Sequence, residues 1–373
     1  MDPIRISSTG LYDPPYSVSN EELVEAFNIY VARHNEAHAA EIEAGTVKAL
    51  EPSSVDFIVK ASGIKNRKVM DKSGIIDPEF LAPRHPERPN EALSVMAEMS
   101  VNAATQALKK ADRKAEDIDV LLVSCSNMQR AYPAISIEVQ NALGIGGYAF
   151  DMNVACASAT FGLQVASDMI RAGNARSVLM VNPEITTGHL NFRDRDSHFI
   201  FGDVCTAVLL ETPDRTQGQN TWEILGTKLT TKFSNNIRNN FGFLNRCGNG
   251  TEGRDKLFVQ EGRKVFKDVV PLVADLILDH LKENDLSPED VRRFWLHQAN
   301  LNMNQLIAKK VLGHDPSEEE APITLNEYGN TSSAGSVVAF HKYSDDLAIG
   351  DIGILCAFGA GYSAGSVVLR KAS

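Results

Sequence analysis

Short apolar runs alternate with segments of helical spacing along this 373-residue chain. An apolar run is typical of a buried strand, and a helical segment that stops at a glycine is typical of a complete helix. The first half therefore predicts a strand at 118–124, a helix at 135–143, a strand at 148–155, a helix at 157–171 and a strand at 177–181. A strand pair follows, formed by residues 199–201 and 207–210 around a tight turn. This alternation predicts a mixed α/β fold.

The second half repeats the order of the first. The matched segments are the helices that end at Gly144 and Gly313, the helices over 157–171 and 333–349, and the strands over 177–181 and 352–357. Such self-similarity predicts two related halves that pack as one unit. The polar segment 212–220 is the predicted join, so we divide the chain into halves 1–213 and 214–373.

Two stretches resemble insertions into this pattern. Residues 21–45 are charged and rich in alanine, which predicts one or two surface helices. Residues 75–90 contain four prolines, at positions 78, 83, 86 and 89, and predict an irregular loop. A loop of this length is either a lid over a binding site or a plain surface excursion, and the pattern does not separate the two.

Composition narrows the class of protein. A net charge of −11, from 37 basic and 48 acidic residues, argues against general nucleic-acid binding, and an acidic partner would need a local basic patch. Five widely spaced cysteines without a C-x-x-C pattern predict neither a disulfide framework nor a zinc site. The N-terminus lacks the regions of a signal peptide, and no apolar run approaches the ~20 residues of a membrane span. We therefore expect a soluble, cytoplasmic protein.

Three polar residues on separate segments are candidates for chemistry. Cys156 follows a strand and begins a helix of small residues, where backbone N–H groups and the helix dipole are expected to lower the thiol pKa. His297 follows a strand, and Asn330 lies in a Gly-Asn-Thr turn before a helix. Each residue alone fits a structural role, but the repeat puts Cys156 and Asn330 at corresponding strand-to-helix junctions. A thiol, an imidazole and a carboxamide together suit acyl transfer through a thioester.

Several motifs, in one order along nearly the whole chain, resemble those of the β-ketoacyl-acyl carrier protein synthase III family of the thiolase superfamily. They are Ser62-Gly63-Ile64, Ala131-Tyr132-Pro133, Val154-Ala155-Cys156-Ala157, Phe201-Gly202-Asp203, His297-Gln298-Ala299-Asn300, Tyr328-Gly329-Asn330-Thr331-Ser332 and Phe358-Gly359-Ala360-Gly361. The resemblance implies a thiolase-like, five-layered αβαβα fold made of two duplicated halves, and a homodimer. It also implies an acyltransferase of fatty acid biosynthesis.

The same resemblance implies the catalytic roles. Cys156 takes an acyl group from acyl-CoA, and His297 and Asn330 hold the thioester carbonyl of malonyl-acyl carrier protein while CO₂ leaves. The resulting enolate attacks the acyl-Cys156 thioester, whose oxyanion is held by the backbone N–H groups of Cys156 and Ala360. The reaction implies no metal and no redox cofactor, and the CoA thioester enters as a substrate.

The resemblance also implies binding residues. They are Phe358 as a wall beside the nucleophile, Tyr132 as a residue that crosses the dimer interface, Arg195 and Asn300 as contacts to the substrate, and Lys309 and Lys310 as the docking site for carrier protein. Phe57 stands where the family has the tryptophan that stacks on the CoA adenine, and Ala61 stands where it has an arginine. The two insertions are similar to those of a longer branch that takes medium-chain acyl-CoA, so we favour a donor of about octanoyl length.

Three alternatives remain at this point. A degradative thiolase needs a second cysteine in the glycine-rich motif at 359–361, and Cys356 lies on the preceding strand instead. A relative that delivers the acyl group elsewhere, forming a quinolone, olefin or ester, keeps the same nucleophile. A carrier-binding protein without activity would not need cysteine, histidine and asparagine together.

Overall fold

The computed structural model describes residues 3–216, 220–248 and 254–372. Its strands are β1 (Ile4–Tyr12), β2 (Tyr16–Ser19), β3 (Asn66–Val69), β4 (Val120–Ser124), β5 (Tyr148–Met152), β6 (Ser177–Glu184), β7 (Val204–Glu211), β8 (Trp222–Ser234), β9 (Ile237–Arg238), β10 (Val259–Gln260), β11 (Val291–Leu296), β12 (Ile352–Gly359) and β13 (Gly361–Lys371). Its α-helices are α1 (Asn20–Ala37), α2 (Ala39–Glu43), α3 (Val55–Ser62), α4 (Val95–Lys110), α5 (Ile135–Leu143), α6 (Ser158–Arg171), α7 (Gly262–Glu283), α8 (Leu301–Leu312), α9 (Leu325–Tyr328) and α10 (Gly335–Lys342).

The strand order shows the internal duplication directly. Nine strands are joined in the order β11-β12-β13-β8-β1-β7-β6-β4-β5. Strands β1 and β8 form an antiparallel pair at the centre of this order. Moving outward from them, β1–β7 and β7–β6 are antiparallel and β6–β4 is parallel, and in the same way β8–β13 and β13–β12 are antiparallel and β12–β11 is parallel. The duplicated α/β fold is thus confirmed. The division at residue 213 stays a prediction, and residues 217–219 of the predicted join lie outside the described ranges.

The helices separate into three layers around the strands of the two halves. Helix α6 contacts strands of both halves, as does α10, so these two helices form the middle layer. Helices α4 and α5 pack on the first-half strands, and α7 packs with α8 and on the second-half strands. The result is the five-layered αβαβα arrangement, in which the middle helices are buried on both sides and are rich in small residues.

Helix ends follow the glycine signals in the sequence. Gly144 ends α5 at φ +74°, and Gly313 ends α8 at φ +80°. A left-handed backbone of this kind closes the last helical turn and favours glycine because glycine has no Cβ. Both predicted helix ends are therefore correct.

The longest helix, α7, spans 22 residues and buries one apolar face while its other face carries charges. Within the parts of the chain that the structure describes, no helix is long and apolar enough to cross a membrane.

Three details of the predicted elements are wrong. Residues 199–201 form no strand and do not pair with 207–210. Phe201 forms an isolated bridge with Asn330 instead. The last predicted helix, 333–349, is only α10 and ends at Lys342. The turn at Asn330 follows the short helix α9, because the described residues of the second half include no counterpart of β5. In place of such a strand, the segment before α9 is held by the Gln298 carboxamide. It donates a hydrogen bond to the Pro322 carbonyl and accepts hydrogen bonds from the N–H groups of Thr324 and Leu325.

The two insertions differ in how they pack. Residues 21–45 form the two predicted helices, but α1 also buries Leu23, Phe27 and Val31. The longer helix is thus held by the core and is more than a surface feature. Residues 75–90 contain no regular element, as predicted.

Trp295→Ala should strongly destabilise the fold. Trp295 is fully buried between Trp222 and Phe340, with ring centroids 5.2 Å and 4.9 Å away. Losing this side chain leaves a cavity, for which we expect a drop in unfolding free energy of about 3–5 kcal/mol in a denaturant titration. Phe233→Ala, at a residue that is 87% exposed, is the matched control. Equal stabilities of the two variants would contradict this account of the core.

Candidate active site

A tight turn between β5 and α6 presents Cys156. The hydroxyl of Ser158 accepts a hydrogen bond from Val154 N–H at 2.8 Å and donates to the Ala155 carbonyl at 2.7 Å. Ala155 has φ +47°, a left-handed conformation that costs a residue with a side chain of the order of 1 kcal/mol. The turn is strained, and the hydrogen bonds of the Ser158 hydroxyl cross-link it. These contacts within the turn fix the position of the Cys156 backbone.

The turn that carries Asn330 comes from the other half of the chain. Asn330 N–H donates to the Ile200 carbonyl at 2.9 Å, and Gly202 N–H donates back to the Asn330 carbonyl at 3.2 Å. Two residues later Ser332 is left-handed, at φ +48°. Each half therefore contributes one left-handed, non-glycine residue beside the site, which is where such strain is usually found.

His297 extends β11 by one residue. Its N–H donates to the Cys356 carbonyl at 2.8 Å, which continues the parallel ladder to β12. The ring lies edge-on to Phe358, with centroids 5.2 Å apart at 84°. Burial lowers the pKa of His297 to about 4, against a smaller opposing effect of the neighbouring Ser332 backbone. The imidazole is thus neutral near pH 7.

Ser332 connects all three candidate residues, and sequence reasoning missed it. Its hydroxyl donates to Cys156 Sγ at 3.2 Å, and its N–H donates to Asn330 Oδ1 at 2.9 Å. Its backbone also lies beside the His297 ring. The sequence showed Ser332 only as the last residue of the motif around Asn330, and this position does not indicate the contacts that the left-handed turn creates.

The end of β12 closes the site over the sulfur. A Cβ on Gly359 would stand 2.5 Å from Cys156 Cβ and 3.0 Å from its Sγ, so only glycine allows this approach. The backbone N–H groups of Ala360 and Cys156 point towards the sulfur and favour its charged form. Two N–H donors at one point are the geometry that an oxyanion requires.

The expectation of a lowered thiol pKa was wrong. Burial raises the pKa of Cys156 to about 11, and the hydrogen bond from Ser332 only partly offsets this. Burial removes the water that would solvate a thiolate. This loss destabilises the thiolate more than the few N–H groups at the start of a helix stabilise it. At rest the nucleophile is therefore a neutral thiol.

Behind the turns lies a buried carboxyl group that the sequence analysis also missed. Glu184, at the end of β6, accepts hydrogen bonds from Ser126 N–H at 2.9 Å and from Ser333 N–H at 3.1 Å, and both serine hydroxyls bind it too. Burial raises its pKa to about 7. This group links the loop after β4 in the first half to the Asn330 turn in the second.

All three candidate residues line one cavity of about 800 Å³. Phe57, Asn300 and Phe358, to which the resemblance assigns substrate binding, also line it. The Asn300 side chain already makes hydrogen bonds within the protein. Its oxygen caps α8 by accepting from Met303 N–H, and its NH₂ group donates to the Ala61 carbonyl at 2.6 Å. The remaining wall is largely apolar, with Ile237, Phe258, Val265, Phe266, Val269 and Met303.

The other predicted binding residues lie outside this group. Arg195 sits beside the mouth, with its guanidinium carbon 4.2 Å from the centre of the Phe57 ring. Tyr132 is 85% exposed and does not line the cavity of the single chain. Lys309 pairs with Asp315 at 2.8 Å, and Lys310 is exposed. Their predicted roles in dimer formation and carrier docking stay predictions.

Two further observations bear on the kind of chemistry. Among the described residues, no group of three or more metal-binding side chains could hold a metal ion. Cys356, the cysteine that a degradative thiolase would have to use, is fully buried in β12 and does not line the cavity.

A cysteine, a histidine and an asparagine where two duplicated α/β halves meet define a thiolase-like condensing acyltransferase. The family models "3-Oxoacyl-[acyl-carrier-protein (ACP)] synthase III" and its "C terminal" counterpart match residues 150–232 and 281–371. The β-ketodecanoyl-[acyl-carrier-protein] synthase of Pseudomonas aeruginosa is 61% identical, over 93% of this chain and 100% of its own length. The chain belongs to the β-ketoacyl-acyl carrier protein synthase III family.

More distant proteins agree with this assignment. The β-ketoacyl-[acyl-carrier-protein] synthase III of Granulibacter bethesdensis is 32% identical over 87% of this chain and 97% of its own length. The crystal structure of the 3-oxoacyl-[acyl-carrier-protein] synthase III of Aquifex aeolicus superposes with a TM-score of 0.76 at 24% identity, covering 98% of this chain and 99% of that one. The latter likeness shows that the fold is shared.

Ser332→Ala should slow the alkylation of Cys156 by iodoacetamide. The variant loses a hydrogen bond that favours the thiolate, so the pKa of Cys156 should rise further. A hydrogen bond of ~0.5–1.5 kcal/mol corresponds to a rate between about twofold and tenfold lower at one pH. The exposed Cys247 is an internal reference that should react unchanged. An unaltered Cys156 rate, measured by peptide mass spectrometry, would show that the serine hydroxyl does not act on the sulfur.

Gly359→Ala should nearly abolish acylation of Cys156 without unfolding the protein. The added methyl group must displace either Cys156 or the end of β12, and a shift near 1 Å can cost roughly 100-fold in rate. Gly146→Ala is the control, because a Cβ there meets nothing within 4 Å. Acyl-adduct formation is followed by intact mass and folding by circular dichroism. Wild-type acylation in Gly359→Ala would refute the close approach.

Proposed function

We propose that this enzyme catalyses the decarboxylating Claisen condensation of a medium-chain acyl-CoA with malonyl-acyl carrier protein in fatty acid biosynthesis. The observation that carries the proposal is the junction of Cys156, His297 and Asn330 through Ser332 in one cavity. The 61% identical relative, a β-ketodecanoyl-[acyl-carrier-protein] synthase, supports the substrate class.

In the first half-reaction Cys156 attacks the thioester carbonyl of the acyl-CoA. The new S–C bond forms as the bond to the CoA sulfur breaks, and the thiol proton ends on the departing CoA sulfur. The tetrahedral oxyanion, which forms on the carbon next to the sulfur, accepts hydrogen bonds from the N–H groups of Cys156 and Ala360, which lie beside that sulfur. One donor of this kind is typically worth ~10²–10³ in rate.

In the second half-reaction the malonyl thioester loses CO₂ and becomes an enolate. His297 and Asn330 hold its oxygen, the histidine as a neutral N–H donor because its pKa is about 4. The enolate carbon then attacks the acyl-Cys156 carbonyl, the sulfur leaves as a thiolate, and a proton from solvent restores the neutral thiol. Neutral donors suit this step, since a buried charge would be costly before the enolate forms.

The proposed acyl donor has about eight carbons. A ten-carbon β-ketoacyl product, as in the name of the 61% identical relative, requires an eight-carbon primer plus the two carbons of the malonyl unit. The apolar walls of the cavity fit an aliphatic thioester. No residue described above fixes the chain length by itself.

The remaining partners follow the resemblance. We place the nucleotide of CoA at Phe57 and Arg195 beside the cavity mouth and the carrier protein at Lys309 and Lys310. The exposed Tyr132 fits the interface of a homodimer, since an aromatic side chain that is 85% exposed gains from burial. The proposed reaction needs neither a metal ion nor a redox cofactor.

The two half-reactions should separate in variants. In wild-type protein, a ladder of acyl-CoA donors should add one acyl group to Cys156, with octanoyl-CoA among the best. His297→Ala and Asn330→Ala should keep this adduct but release CO₂ from malonyl-acyl carrier protein roughly 100-fold more slowly, because each loses an enolate donor. Intact mass and a CO₂-coupled assay measure the two steps.

Cys205→Ala is the control, because Cys205 is buried outside the cavity and should leave the adduct unchanged. Absence of any adduct on wild-type Cys156 would refute the proposal. An adduct whose acyl group is transferred without CO₂ release would instead favour a quinolone-, olefin- or ester-forming enzyme. Carrier binding without any turnover would favour a binding protein.

A further inference from the structure

Helix α1, from the first insertion, packs against the loop that carries Arg195. The Phe27 ring stacks on the His198 imidazole, with centroids 4.5 Å apart and planes at 19°. His198 Nδ1 donates to the Arg195 carbonyl at 2.9 Å. Burial lowers the pKa of His198 to about 4, so the ring is neutral, and the Arg195 carbonyl keeps its single N–H on Nδ1. Helix α1 thus reaches the arginine through one intervening residue.

The Arg195 side chain is held from two sides. Its guanidinium carbon lies 4.2 Å from the centre of the Phe57 ring, a cation–π contact. Its Nε donates to the Pro52 carbonyl at 2.8 Å. A long surface side chain normally samples many rotamers, and these two contacts favour one of them.

The segment around Pro52 is itself fastened to α1. Asn28 exchanges two hydrogen bonds with the Ser53 backbone, at 3.1 Å and 2.8 Å. Asn35, two turns further along α1, exchanges two with the Leu50 backbone, both at 2.9 Å. Both carboxamides lie on the same face of α1, so the helix acts as a template for this segment.

The second insertion holds the same loop from its other end. Arg193 donates to the carbonyls of Glu79 and Phe80 at 2.9 Å and 3.2 Å. Its guanidinium carbon also lies 5.6 Å from the ring centre of Tyr30 on α1. Both insertions therefore converge on residues 193–198, next to the cavity mouth.

We propose that α1 and the loop 75–90 form a clamp that preorganises Arg195 on Phe57 as the binding surface for the nucleotide of the acyl donor. Phe27, Asn28 and His198 are positioning residues in this clamp and do not touch the ligand. The fixed guanidinium offers a flat cationic face to a purine and N–H donors to phosphate. Fixing it in advance lowers the entropic cost of binding. The inference rests on the proposed function, which places CoA at this mouth.

The test compares two donors that share one reacting thioester, octanoyl-CoA and octanoyl-pantetheine, which lacks the nucleotide. Phe27→Ala and Asn28→Ala should raise the KM for octanoyl-CoA about tenfold while kcat stays within about twofold, because only uniform binding is lost. The KM for octanoyl-pantetheine should not change. Ile29→Ala, at the neighbouring α1 residue that is 38% exposed, is the matched control and should resemble wild type with both donors.

A second readout does not depend on the chemistry. The adenosine bisphosphate fragment of CoA should bind wild type and Ile29→Ala equally, and about tenfold more weakly to Asn28→Ala, in calorimetry. His198→Phe keeps an aromatic ring at this position but loses the N–H donor to the Arg195 carbonyl, so it should also bind the fragment more weakly. Thermal melting confirms that each variant is folded, and Asn28→Ala serves if Phe27→Ala is not.

Three results would overturn the clamp: a lack of fragment binding to wild type, unchanged fragment binding in folded variants, or an equal rise in KM for both donors. The last result would mean that α1 only supports the cavity as a whole. Failure of the proposed function looks different, because wild-type Cys156 would then accept an acyl group from neither donor while the fragment still binds.

Discussion

The close approach of the Gly359 backbone to Cys156 is the contact on which the site depends. A single methyl group at residue 359 would overlap the cysteine side chain. Gly359 ends β12 of the second half, and Cys156 precedes α6 of the first, so the contact forms only when the two duplicated halves pack across the middle helices. The oxyanion donors, the Ser332 hydroxyl and the cavity wall are all positioned by this packing, which couples the fold to the chemistry.

The Cys156 thiol and the His297 ring of this site are uncharged at rest. Burial keeps the Cys156 thiol protonated and the His297 ring neutral, and it shifts the pKa of Glu184 to about 7. Electrostatic help therefore comes from fixed N–H and O–H groups, which need no reorganisation when charge develops on a thioester oxygen. Ala155 and Ser332 adopt strained left-handed conformations in the turns that orient these groups. Side-chain hydrogen bonds cross-link each of the two turns.

Sequence patterns failed where a contact from a distant segment decided the outcome. Residues 199–201 have the apolar character of a strand, yet the Asn330 turn takes their hydrogen bonds and they cannot join the sheet. The helix dipole at Cys156 predicted a lowered thiol pKa, but burial by the opposite half outweighs it. The insertion 21–45 has the composition of helices, but composition does not indicate its contacts with the loop around Arg195, which lies more than a hundred positions away.

The sequence by itself determined the mixed α/β class, the duplication, the helix ends at Gly144 and Gly313, and the candidates Cys156, His297 and Asn330. These follow from local periodicity, from backbone conformations that only glycine adopts easily, and from side-chain chemistry. Only the tertiary structure decided the role of Ser332, the buried link through Glu184, the pKa values of the site and the function of α1. Those properties depend on burial and on hydrogen bonds between segments far apart in sequence, which a local pattern does not contain.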